Sequence, residues 1–133
     1  MSTILQSLEQ ISQLLQKTSN AADLARQLGK ITQESKSEIT VQPKDAAFTH
    51  LSVVKHIDSS EPAHIRLRLA SPVALSTLSA QLGTPQKPPR TPSGKSSHIF
   101  NNAYRGTSHN VTLIVEGGDP AVDLVLRRDI RLD

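Results

Sequence analysis

AFTHLSVVKHIDSSEPAHIRLRLA, residues 47–70, is the stretch that decides the fold. Two runs rich in Val, Ile and Leu, 47–57 and 63–70, flank DSSEP at 58–62, a composition that favours a turn. Folded back as a hairpin with His56 opposite His64, the segment sets Ile57 against Ala63 and Lys55 against Ile65. Val53 then meets Leu67, and Leu51 meets Leu69. One face is almost wholly apolar. The other carries Ser52, Val54, His56, His64, Arg66 and Arg68. A slip by one residue would turn polar groups into the core, so the alternation selects the buried face.

A second hairpin lies near the end of the chain. NVTLIVE (110–116) and AVDLVLRRDIRLD (121–133) flank the turn GGDP. Pairing Glu116 with Ala121 brings Val115 beside Val122, Leu113 beside Leu124 and Val111 beside Leu126. After Leu126 the apolar phase shifts at Arg127-Arg128, which predicts a bulge or a change of partner. SHIFNNAY (97–104) reads as a further strand. Between the hairpins, Ser71 and Pro72 predict the N-cap and first position of a helix with Leu75, Leu78 and Leu82 on one face. Gly83 and Pro85 stop it.

Upstream, Ile4, Leu8, Ile11 and Leu15 predict an amphipathic helix over 2–17, widened by Leu5 and Leu14. Asn20, with Asp23 three residues on, has the pattern of a helix start before Leu24, Leu28 and Ile31, with Gly29 as the end, so two short helices or one kinked helix would fit. Residues 32–46 are polar and hold Pro43. They read as a linker with at most a short edge strand at Ile39 to Val41. The expected plan is a helical segment at 1–31, the linker at 32–46, and a sheet domain at 47–133 with a Pro-rich loop at 84–97. The fold class is α+β: an antiparallel sheet of about four to five strands, packed by the N-terminal helical segment and one central helix.

Composition narrows the function. The 133 residues allow one modest core. Phe48, Phe100 and Tyr104 are the only aromatics, which argues against base-stacking platforms and aromatic cation cages. With no cysteine, disulfides, thiolate nucleophiles and Cys metal sites are excluded. The first residues lack a basic start and an unbroken apolar run, and no stretch approaches the ~20 apolar residues of a membrane span. These features predict a cytoplasmic protein with no membrane partner. The net charge is +3, and residues 84–97 alone supply +3 through Lys87, Arg90 and Lys95. The rest of the chain is neutral in sum, so the basicity belongs to one loop.

Several motifs fall away on inspection. TPSGKSS (91–97) ends like a phosphate-binding P-loop, but Pro89 stands where the leading Gly is required and no helix is predicted to follow. PQKPPR (85–90) has the spacing of a polyproline ligand, which any proline-dense loop supplies. NAADLARQLG (20–29) resembles the first half of a helix-turn-helix, with Leu24-Ala25 followed by Gly29. Lys30 and Ser35 stand where that motif anchors its recognition helix with apolar residues. No two of the five histidines have helical metal spacing. His56 and His64, with Asp58 and Glu61, are the one constellation for zinc, and solvated strand-end residues describe them better. No Ser lies in a Gly-x-Ser-x-Gly elbow, and Glu116, Asp119 and Asp123 flank a turn without forming an acid/base pair. No catalysis, metal or cofactor is expected.

Two surfaces remain. One is the apolar face of the first helix, with Leu8, Ile11 and Leu15, provided the central helix alone covers the sheet. The other is the sheet face bearing Arg66 and Arg68, joined by Arg127 and Arg131. They predict a small non-catalytic protein-binding domain of the adaptor, inhibitor, immunity or chaperone type. Its partner is another protein, or a second copy in a homodimer. The alternative is a nucleic-acid-binding protein that uses Lys87, Arg90 and Lys95 with the sheet arginines.

Overall fold

The computed structural model describes residues 4–86, 97–106 and 109–129. The chain opens with α1 (Ile4–Lys17) and α2 (Ala21–Leu28). Asn20 caps α2: its side-chain oxygen accepts from the Asp23 N–H at 3.1 Å. After Gly29 the chain does not enter a second helix of a helix-turn-helix. It runs directly into β1 (Gly29–Glu34) and returns as β2 (Glu38–Pro43). β3 (Phe48–Lys55), β4 (Pro62–Val73), α3 (Leu75–Leu82), β5 (Ser97–Tyr104), β6 (Val111–Glu116) and β7 (Ala121–Arg128) follow.

The strands form one antiparallel sheet in the order β1-β2-β3-β4-β7-β6-β5. The α+β class is as expected, but the sheet has seven strands where four to five were predicted. The additional hairpin, β1–β2, occupies most of the polar stretch read as a linker. Only Ile39 and Val41 of that hairpin enter the core, and β1 lies at the sheet edge with both faces largely exposed. An edge strand of this kind has the composition of a linker.

α2 lies over β1, β2 and β3, and α1 lies over β5, β6 and β7. Together they bury one face of the sheet. The core joins Leu8, Ile11 and Leu15 of α1 and Leu24 of α2 to Val53, Ile65, Leu67, Leu113, Leu124 and Leu126. Leu78 of α3 is part of the same cluster.

Both hairpins differ from the expected register by two residues. Leu51 faces Leu67, Val53 faces Ile65, and Val54, not His56, lies opposite His64. Likewise Val115 faces Leu124 and Leu113 faces Leu126. A shift of two preserves which side chains share a face, so the buried sets are those expected. Phe48, on the other parity, is also buried, past an irregularity in the ladder, and Ile57 is not. Expected on the apolar face against Ala63, it lies in the turn and is 93% exposed. Asp58 beside it adopts a positive φ of 56°.

Two further expectations are corrected. β4 runs on to Val73, so Ser71 and Pro72 are strand residues and do not start α3. Ala74 is the N-cap, without a side-chain cap, and Asp119 Oδ1 from the β6–β7 turn accepts from the Leu75 N–H at 3.0 Å. Arg127 and Arg128 stay in the ladder opposite Thr112 and Val111, with no bulge between them. Residues 130–133, the rest of that reading, lie outside the described residues.

Candidate functional site

β4 places Arg66 and Arg68 two residues apart on the face that the helices leave open, because Ile65, Leu67 and Leu69 take the buried side. β7 presents Asp123, Val125 and Arg127 to the same open face, and Leu124 and Leu126 to the core. Arg68 donates from Nε to Asp123 Oδ1 at 2.9 Å, across the ladder. That bond and the carboxylate charge raise the Arg68 pKa and keep its guanidinium charged. Arg127 donates from Nε to Asp129 Oδ1 at 3.2 Å. The Arg66 side chain is exposed and makes no hydrogen bond or ion pair among the described residues.

Two hollows adjoin Arg66. One, of about 550 Å³, reaches towards β2 and β3 and is lined by Thr40, Gln42, His50, Ser52, Arg66 and Arg68. The other, of about 390 Å³, lies towards the β6–β7 turn against Glu116, Gly117 and Asp123. Both share Arg66, Arg68 and Asp123. His64 is half-buried next to them. Its burial, then the positive charge of Arg66, lowers its pKa, against an opposing pull from Glu38 and Glu116.

The pairings continue the Arg66 row across the sheet. Arg66 faces Val125, Val125 faces Ile114, and Ile114 faces Ile99. These three apolar side chains are partly buried, and their strand neighbours Leu124, Leu113 and Phe100 point into the core. Strands with apolar residues on both faces are the pattern of a sheet covered on both sides. Here α1 covers one. The runs Ile99-Phe100, Leu113-Ile114-Val115 and Leu124-Val125-Leu126 carry this signal in the sequence, alongside the alternation that marks the buried face.

The other expected site residues separate. Leu8, Ile11 and Leu15 are buried in the core at 0%, 5% and 0% exposure, so they do not form a partner-facing surface. His56 lies outside β3 and is not a cross-strand neighbour of His64. Among the described residues no three His, Asp or Glu side chains come together as a metal site. Arg131, Lys87, Arg90 and Lys95 lie outside the described residues, as do most of the polyproline-like and P-loop-like segments. No helix among the described residues is long and apolar enough to cross a membrane.

Two residues that were not singled out prove structural. Arg128, with a side chain only 6% exposed, donates to the Thr18 carbonyl at 3.3 Å and to Glu61 Oε2 at 3.4 Å. It ties the α1–α2 junction and the β3–β4 turn to β7. Tyr104, in a cleft with Leu5, Glu9 and Leu82, has a buried hydroxyl without a partner among the described residues. Burial and the Glu9 charge push its pKa up to about 12. In comparisons with known proteins, no family model matches the chain, and no curated protein and no solved structure is similar to it.

Proposed function

We propose that this protein is a non-catalytic protein-binding domain whose partner docks on the open, arginine-bearing face of the sheet. The observation that carries the reading is the combination on that face of a guanidinium unpaired among the described residues, Arg66, with a partly buried apolar row next to it. Arginine beside apolar surface is the composition enriched in protein interfaces. The acids Glu38, Glu116 and Asp123 lie among the arginines and would repel a phosphate backbone, which favours a protein over a nucleic acid.

The polar groups of this face suit recognition better than bond-making. Thr49 Oγ1 lies 3.0 Å from His50 Nδ1, a hydroxyl beside an imidazole. The two are consecutive, exposed strand residues, and no carboxylate orients the imidazole among the described residues. Affinity capture from native lysate, with and without nuclease, tests the reading. A nuclease-resistant protein partner is expected. Material that disappears with nuclease would replace the proposal with nucleic-acid binding.

A further inference from the structure

We infer, resting on that protein-binding reading, that the docking element is an amphipathic α-helix laid across the strands, with a carboxylate over Arg66 and apolar side chains over Val125, Ile114 and Ile99. The four positions form one row because each is the ladder partner of the next. Neighbouring strands are about 4.8 Å apart, so Arg66 and Ile99, three strand steps apart, are separated by about 14 Å. A helix rises about 1.5 Å per residue and covers that distance in roughly ten residues. Side chains at i, i+3, i+7 and i+10 of such a helix share one stripe and meet the row one strand at a time. An extended peptide lying in the same direction repeats its side chains on one face every ~6.8 Å and falls out of step with the strands.

Charge fixes the end of the stripe. Arg68 and Arg127 already hold Asp123 and Asp129, whereas Arg66 has no anionic partner among the described residues. A carboxylate at position i completes it, with bidentate geometry open to a guanidinium and not to an ammonium. The remaining positions need Leu, Ile, Val or Phe, to cover the side of β5, β6 and β7 that α1 does not.

The test places a photo-cross-linking benzoylphenylalanine on the full chain in place of Val125. A second variant carries it in place of Thr40 in the same row, and a control carries it in place of Arg26 on the exposed side of α2. Adducts formed in native lysate are mapped to a segment of the captured protein, and that segment is made as a synthetic peptide. The expected segment is helical, with the acid and three apolar residues in the stated spacing. Arg66→Glu is expected to weaken its binding about tenfold or more, and replacing the peptide's acid with Lys should restore it. A captured protein segment without that pattern, or a charge swap that restores nothing, overturns the helix and leaves the protein-binding reading standing. Adducts only at the Arg26 position, only with nucleic acid, or at no position overturn both.

Discussion

Arg68 is held by Asp123 at 2.9 Å across the β4–β7 ladder, while Arg66, two residues earlier on the same face, has no anion beside it among the described residues. The pair decides which guanidinium is available. Asp123→Asn is expected to leave thermal stability nearly unchanged, since both side chains are about half exposed and screened by solvent. It frees a second guanidinium, so binding of an acidic partner should strengthen. Thermal melts and titration with the captured partner measure the two effects, and weaker binding would count against the face as a receptor for acids.

The buried stripe of α1 makes the second prediction. Leu15→Ala and Leu8→Ala, each at a side chain with 0% exposure, should each cost about 2–5 kcal/mol in urea unfolding. Ser12, equally buried, has an Oγ without a hydrogen-bond partner among the described residues. Ser12→Ala should therefore be neutral or stabilise by up to about 1 kcal/mol. A helix docked loosely on the domain would show small changes at all three positions.

Gly29 tests the passage from α2 into β1. Its φ of 163° is ordinary extended backbone, so the demand is for space. A Cβ there would be driven into the carbonyl oxygen of Gln42 and would lie 2.8 Å from Val41 Cγ1. Gly29→Ala should destabilise by about 1–3 kcal/mol, as overpacking does. Faster hydrogen exchange confined to β1 and β2 would place the damage where it is expected.

His64 sets a pH dependence. Burial and Arg66 lower its folded pKa, so as pH falls the unfolded chain takes up a proton before the folded one. Its contribution is complete above about pH 6.5 and is lost as pH falls from there through the lowered folded value. Urea melts at several pH values should show stability declining below neutrality, with His64→Gln flattening the decline. An unchanged slope in that variant would assign the effect to other groups.

The face of each central strand was legible because a period of two is a strong signal, and Leu51, Val53, Ile65, Leu67, Leu113 and Leu124 are buried as expected. Absolute register was not. A shift of two residues leaves that signal unchanged, and turn geometry selects between the alternatives: Ile57 and Asp58 belong to the turn, and the strand stops at Lys55. β1 and β2 were hidden because an edge hairpin buries little. α3 was placed but its start was not, because the group that accepts its first N–H is Asp119 Oδ1, 44 residues away. Arg66 and Arg68 could be read as surface arginines. Which of them was already paired depended on β7 lying beside β4, a long-range contact that local pattern does not carry.

The most direct measurement compares capture by the native chain, Arg66→Glu and Arg26→Glu under nuclease treatment, with circular dichroism to verify folding. Arg26 is exposed on α2 and bound to Asp23 at 2.8 Å, remote from the open face. The expected result is one protein partner retained by Arg26→Glu and lost with Arg66→Glu. Equal retention by both variants would contradict the open face as the binding surface.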